Sequence, residues 1–134
     1  MKFGFLQGAA SLGALAQAFF AYKETAGWGR KFVESAAPGW IKPGDPNTDA
    51  HIEWARDLAF NMGIYNLVLA IGLAWTVVAD ASIARSLGFF FSAWLLIAAL
   101  AAGYTKVYSA AALQGVLGLL LLVAAVLTKG MMPL

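Results

Sequence analysis

Polar side chains recur at every fourth residue along one stretch of an otherwise apolar chain. Glu53, Asp57, Asn61 and Tyr65 follow this spacing, and residues four apart lie on the same side of an α-helix. Beyond Asp57 the surrounding sequence is apolar enough to enter a bilayer, where polar side chains are costly and usually turn inward. Amides, phenols and carboxylates in this position could bind the polar end of an apolar molecule or transfer a proton to it.

Other polar residues have positions that could join this stripe. Gln17 and Glu24 are seven residues apart and therefore share one face of the first apolar segment. Ser92 and Tyr104 lie in a later segment. We predict a polar pocket that opens toward the long polar segment, with these ligand-binding residues: Gln17, Trp28, Asn61, Tyr65, Asn66 and Gln114. The alternative is that the same side chains only join neighbouring helices by hydrogen bonds.

Two carboxylates, Glu24 and Asp57, are the candidate catalytic residues. Both lie near the ends of apolar segments, where a carboxylate is either solvated or paired with a neighbouring base. Burial would instead raise the pKa of such a carboxyl by desolvation and suit it to donate or accept a proton. Aromatic walls around it could stabilise a cationic intermediate, as in an isomerase or cyclase. The alternative is that the aromatic residues only anchor the chain at the membrane interface and fill its interior.

Several other kinds of chemistry have no basis in the sequence. There are no cysteines and one histidine, His51, and His51 with Glu53 and Asp49 does not fix the geometry of a metal site. No phosphate-binding loop or nucleophile motif is present. The nine Lys and Arg residues are scattered, so no basic run suggests nucleic-acid binding. We expect no metal and no other cofactor.

The composition places this chemistry in a membrane. Of 134 residues, 61% are hydrophobic and 12% are charged, whereas soluble domains are about half apolar and a quarter charged. Four apolar segments are close to the roughly 20 residues needed to cross a bilayer. They comprise residues 3–22, 58–79, 83–103 and 110–127.

These segments predict an all-α fold, an integral membrane four-helix bundle formed by a single domain over residues 1–134. Continuously apolar spans are helical because a lone strand cannot satisfy its backbone groups in lipid. A long capping loop, residues 23–57, separates the first two helices and holds six of the seven acids. Its Pro and Gly turn signals and its tryptophans favour an ordered cap on the bilayer surface. A flexible loop is the alternative.

The distribution of basic residues predicts how the chain is oriented in the membrane. Four spans place both termini on one side, together with Lys2, Arg85 and Lys129, whereas six Lys and Arg residues flank the spans on the other side. Because cytoplasmic loops are enriched in Lys and Arg, we expect the long loop to be cytoplasmic.

Several short motifs resemble those of a known family. They are Glu24-Thr-Ala-Gly-Trp28 followed by Gly29-Arg30-Lys31-x-Phe, Asn61-x-Gly63-x-Tyr65-Asn66-x-x-Leu69-Ala70-x-Gly72-Leu73-x-Trp75, Ala102-Gly103-Tyr104 and Leu113-Gln114-Gly115. Together they resemble the small four-helix bacterial membrane proteins grouped as domain of unknown function 1304. The resemblance covers nearly the whole chain. It implies a multi-pass protein of the bacterial inner (plasma) membrane with a shared polar set, and it supplies no activity. One departure is Ala16-Gln17, where the family tends to carry a Glu-His pair.

Three functions remain open on these grounds. The first is binding of a membrane lipid or hydrophobic small molecule in the polar-lined pocket, with or without acid–base chemistry. The second is proton-coupled transport, which the position of the acids at the ends of the spans disfavours. The third is a role as an accessory subunit of a larger membrane complex or as a homo-oligomer, which small-residue faces suit.

Overall fold

The computed structural model describes residues 4–36, 38–41 and 44–128, and the regular structure in these residues is helical. Six α-helices follow one another, with a short 3₁₀ turn at Pro38–Trp40 between the second and third. They are α1 Phe5–Thr25, α2 Arg30–Ala36, α3 Thr48–Trp54, α4 Arg56–Val78, α5 Ala81–Tyr104 and α6 Tyr108–Leu127. The predicted all-α fold is confirmed. Lys2, Lys42 and Lys129, which entered the orientation prediction, and Phe3, the predicted start of the first span, lie outside the described residues.

Three of these helices are long and apolar enough to cross a membrane. α4, α5 and α6 have 23, 24 and 20 residues, which corresponds to about 30–36 Å at 1.5 Å per residue. They indicate a membrane protein. α1 has 21 residues but carries Gln7 and Gln17 and is not among the three. A bundle of four spanning helices therefore stays a prediction.

The long helices are arranged as two closely packed pairs. α1 packs along α4 and α5 packs along α6, while α4 against α5 and α1 against α6 join the pairs. Glycine permits the closest approach, as small residues do in membrane helices. A Cβ atom on Gly63 would lie 3.0 Å from the Ala21 carbonyl oxygen and 2.6 Å from Thr25 Cγ2, and one on Gly118 would lie 3.0 Å from Leu96 Cγ.

The hydrophobic core occupies the half of the molecule near the turn between α4 and α5. Its members come from the start of α1, the later part of α4, the first half of α5 and the second half of α6; they are Leu6, Ala9, Ala10, Leu73, Ala84, Phe91, Leu95, Leu117, Leu121, Ala124 and Ala125. Side chains toward the other end are more open: Tyr65 is 66% exposed, Leu100 76% and Tyr104 90%. The two pairs are thus held together mainly at one end.

The segment between α1 and α4 folds against the other end through hydrogen bonds. Trp28 Nε1 donates to the Ile52 carbonyl at 2.9 Å, which ties the start of the segment to α3. Trp40 Nε1 donates to the Thr105 carbonyl at 3.1 Å, and Ser109 Oγ donates to the Ala36 carbonyl at 3.3 Å. Trp28 is half-buried, and a buried indole usually satisfies its N–H in this way, whereas Trp40 is 51% exposed. Both tryptophans therefore act as cross-links to backbone, in addition to any role as interfacial anchors.

The close approach at Gly63 predicts a contrast between two glycine substitutions. Gly63→Ala places a methyl group against the α1 backbone, so we expect a loss of about 1–3 kcal/mol in the free energy of unfolding. Gly115→Ala is the matched control, because its new Cβ would lie 3.7 Å from Ala99 Cβ and alanine favours helix by up to about 1 kcal/mol. Thermal unfolding of both variants in detergent tests this. Equal stability of the two variants would show that the approach of α1 to α4 is not tight.

Candidate functional site

One polar pair links α1 to α4. Asn66 Nδ2 donates a hydrogen bond to Glu24 Oε2 at 2.6 Å, and both side chains are half-buried. Gly63 lies one turn before Asn66, and its missing side chain lets α1 approach closely at Glu24. A short charge-assisted bond of this kind is stronger than one between neutral groups. It fixes the side-chain amide of Asn66 with its carbonyl oxygen free to accept another hydrogen bond.

The pKa of Glu24 is shifted by its surroundings. Glu24 lies outside the three candidate spans and beyond the apolar run 3–22. Burial raises the pKa of its carboxyl above the ordinary value of 4.5, and the hydrogen bond from Asn66 partly opposes this. Desolvation disfavours the charged form of a carboxyl, whereas a donor to the carboxylate favours it. Glu24 is consequently the better placed of the two predicted catalytic carboxylates, since Asp57 is exposed on the first turn of α4.

Gln17 lies two turns before Glu24 on the same face of α1 and is fully buried. Within residues 4–36, 38–41 and 44–128, neither its Nε2 nor its Oε1 has a hydrogen-bond partner. On this face Gly13 meets Leu73 and the Ala21 carbonyl meets Gly63, so Gln17 falls between two points of contact with α4. An unsatisfied buried polar group costs about 1–3 kcal/mol. Native proteins usually explain such a group by a bound water, ion or ligand.

The stripe Glu53, Asp57, Asn61 and Tyr65 is exposed along its whole length. The prediction that Asn61 and Tyr65 converge with Gln17 on one interior pocket is not what the structure has. Successive residues on a helix differ by about 100°, and α1 packs on the side of α4 that carries Gly63 and Asn66. Tyr65, next to Asn66 in sequence, therefore turns outward and is 66% exposed.

The remaining predicted site residues are separated from this pair. Gln114 is half-buried on α6, and Trp28 is half-buried in the segment between α1 and α4. Ser92 is buried on α5, where its hydroxyl donates to the Phe89 carbonyl at 2.8 Å. That bond within one helix satisfies Ser92, so its burial calls for no further partner. Of the predicted set, the structure brings together Glu24 and Asn66, and it places Gln17 on the same interface.

Cavities also lie in the segment between α1 and α4, and of their lining residues the predicted ligand-binding set contains Trp28. The larger, about 460 Å³, is lined by Arg30, Glu34, Ile41, Gly44, Asp45, Pro46 and Thr48. Its charges are already paired in part, because Arg30 Nε lies 2.9 Å from Asp49 Oδ1. The smaller, about 60 Å³, lies between Trp28, Trp40 and His51. In the part of the chain that the structure describes, no three His, Cys, Asp or Glu side chains could hold a metal together. The sequence signal for the larger cavity was the run of Pro and Gly turns flanked by charges.

Comparison with known proteins gives one match. A family model described as "Protein of unknown function (DUF1304)" matches residues 11–126, which is nearly the whole chain. No curated protein and no solved structure matches. The match confirms the resemblance inferred from the motifs, and the range includes Gln17, Glu24, Asn66 and Gln114.

The raised pKa of Glu24 predicts a pH dependence of stability. In the pH range from 4.5 up to its raised pKa, the folded protein holds the proton more tightly than the unfolded chain. Protonation of Glu24 therefore stabilises the folded protein at the low-pH end of this range, and this stabilisation is lost as the pH rises through it. Glu24→Gln keeps an acceptor for Asn66 but removes the titration. We expect the melting temperature of Glu24→Gln, relative to that of the wild type, to increase as the pH rises.

The control for this experiment is Glu34→Gln, whose carboxylate is 51% exposed. Thermal unfolding of the wild type and both variants across this pH range provides the comparison. If Glu24→Gln and Glu34→Gln follow the wild type in parallel, burial of Glu24 has no energetic consequence.

Proposed function

This chain is a member of the DUF1304 family, and because the description of that family names no activity, we propose its function from the interface between α1 and α4. We propose that the protein is a small multi-pass protein of the bacterial inner membrane that binds an apolar or amphipathic, lipid-like molecule. The polar end of that molecule would be held by Gln17, and Glu24 and Asn66 would lie at the entrance to its site. The observation that carries the proposal is the fully buried Gln17 amide, which has no hydrogen-bond partner in residues 4–36, 38–41 and 44–128.

The chemistry of Gln17 suits a neutral polar group. A glutamine amide offers two N–H donors and a carbonyl acceptor, so a single hydroxyl or amide group of a ligand could bond to both ends of it. A charged headgroup fits less well, because no oppositely charged side chain accompanies Gln17 on the buried face of α1, whose other members are apolar or glycine. An alcohol, amide or ester carbonyl at the end of an apolar chain matches this surrounding.

Glu24 and Asn66 would form the entrance to the site. They lie seven residues from Gln17 along α1, or about 10 Å, toward the end where the helix pairs are less closely packed. The hydrophobic core does not extend to that end, so we expect a molecule to enter there. The free carbonyl of Asn66 and the raised pKa of Glu24 supply both an acceptor and, when Glu24 is protonated, a donor.

If the bound molecule is transformed, Glu24 is the group that would move the proton. A half-buried carboxyl whose pKa is raised by burial suits general acid–base catalysis, as an isomerase or cyclase type of reaction requires. Asp57 is exposed and has the weaker case. Proton-coupled transport is less well supported than binding, since α5 and α6 contain no acid and α4 carries only Asp57 in its first turn.

The proposal predicts a retained molecule that depends on Gln17. We expect native mass spectrometry of the protein, extracted with its surrounding lipid, to find a molecule of defined mass on the wild type. The affinity for it should fall about tenfold or more in Gln17→Leu, because loss of two hydrogen bonds of about 1 kcal/mol each exceeds the 1.4 kcal/mol that a tenfold change in Kd requires, and at ligand levels below Kd the occupancy falls by the same factor.

Thr76→Val is the matched control. Thr76 is equally buried, but its hydroxyl donates to the Gly72 carbonyl within α4 at 3.1 Å, so this variant should keep the molecule. If Gln17→Leu is instead more stable than the wild type by about 1–3 kcal/mol and neither protein retains a molecule, Gln17 is an unsatisfied residue of the core and the proposal fails.

A further inference from the structure

The smaller cavity in the segment between α1 and α4 is bounded in large part by aromatic rings. Trp28, Trp40 and His51 line it, together with the aliphatic side chains of Val33 and Ile52, and its volume is about 60 Å³. A cavity of about 10–15 Å³ already holds one water molecule, so this one has room for a group of several heavy atoms. It shares no lining residue with the proposed ligand site between α1 and α4.

The two indoles are fixed by hydrogen bonds that leave their rings as the surface available to an occupant. Trp28 Nε1 donates to the Ile52 carbonyl at 2.9 Å, and Trp40 Nε1 donates to the Thr105 carbonyl at 3.1 Å. An indole has no other hydrogen-bonding group, so an occupant of the cavity meets the ring itself. Among aromatic side chains, the indole ring attracts cations most strongly.

A carboxylate lies where this cavity adjoins the larger one of about 460 Å³. The two cavities share Ile41 and Thr48 in their linings. Asp45 lines the larger cavity, and its Oδ2 lies 3.7 Å from Nδ1 of His51, which lines the smaller one. The Asn47 N–H donates to Asp45 Oδ1 at 2.8 Å and so holds this side chain in place. A half-buried carboxylate is therefore positioned next to the aromatic cavity.

The charges around the larger cavity favour a cation over an anion. Among the lining residues that the structure describes, Arg30 is the cationic one, but its Nε lies 2.9 Å from Asp49 Oδ1. Glu34 Oε1 lies 4.0 Å from the same Nε, and exposed ion pairs of this length contribute little. Asp49 therefore meets the charge of Arg30, and the carboxylates of Glu34 and Asp45 can attract another positive charge.

We propose that these rings and carboxylates bind a substituted ammonium ion, with its alkyl groups against Trp28 and Trp40 and its charge toward Asp45. Aromatic cages recognise quaternary ammonium groups through cation–π attraction, and a neighbouring carboxylate adds Coulomb attraction. A neutral apolar group would gain from the rings alone. The ammonium can belong to a lipid headgroup or to a free solute, because both present the same group to the site.

Two ligands of nearly equal shape test this on the unmodified protein. Choline carries a trimethylammonium group, and its carbon analogue dimethylbutanol has the same shape without the charge. We expect calorimetry in maltoside micelles, which contain no ammonium group, to show that choline binds about tenfold more tightly, as two rings and a carboxylate predict. Displacement of choline by short-chain phosphatidylcholine, but not by phosphatidylglycerol, would identify a lipid headgroup as the source; choline binding without displacement would identify a free solute.

Matched variants separate the site from the rest of the chain. Asp45→Asn keeps an acceptor oxygen but removes the charge, and Trp40→Leu removes one ring, so each should weaken choline binding about fivefold. Glu53→Gln is the control for the charge, since Glu53 is 65% exposed and pairs with Arg56. Trp94→Leu is the control for the ring, since Trp94 is 47% exposed but lies on α5. Neither control should change the affinity.

Three results would overturn the proposal: no binding of choline, equal binding of choline and dimethylbutanol, or an equal effect of Asp45→Asn and Glu53→Gln. The comparison of the two ligands needs no substitution, so it holds even if Trp40→Leu fails to fold. Because the site lies apart from Gln17, the outcome does not depend on the molecule proposed to bind between α1 and α4, and each inference can fail without the other.

Discussion

The close packing of α1 against α4 determines which polar groups of this protein are inside and which are outside. Gly63 lets the two helices approach until a single Cβ atom would meet the α1 backbone. Once α1 occupies that side of α4, Asn66 must face it and Tyr65 must face away, because neighbouring residues on a helix point about 100° apart. The hydrogen bond between Asn66 and Glu24, the burial of Gln17 and the exposure of Tyr65 are consistent with this contact.

The packing of α1 on α4 also separates two sets of polar residues that the sequence analysis had assigned to one pocket. A single line of polar residues suggested one pocket, but the helices divide it into an interior set on α1 and α4 and an exterior set on α4. Among the residues that the structure describes, the interior set contains a buried amide without a hydrogen-bond partner, and a group of this kind calls for an explanation such as a bound water or ion. The exterior set lies on the exposed side of α4.

The positions of the core and of the folded segment explain how such a site could be reached. The buried apolar cluster joins the helix pairs near the turn between α4 and α5, and fewer large side chains are buried toward the opposite end. There the segment between α1 and α4 is joined to α5 and α6 by hydrogen bonds from Trp40 to the Thr105 carbonyl and from Ser109 to the Ala36 carbonyl. α1 and α4 pack tightly at this end, but the two helix pairs share little buried apolar surface there, as is common for regions that admit ligands.

The sequence by itself determined the all-α class, the approximate limits of the three apolar helices and the family. Composition and the length of the apolar runs suffice for this, because lipid allows few ways to satisfy a backbone. The sequence also identified Glu24, Asn66 and Gln17 as polar residues of interest. Tertiary structure alone decided that Asn66 pairs with Glu24 and that Asn61 and Tyr65 do not share their interface. Helical periodicity gives the angle between two residues on one helix, but the side on which the next helix packs depends on where glycine leaves space, and that is a property of both helices together.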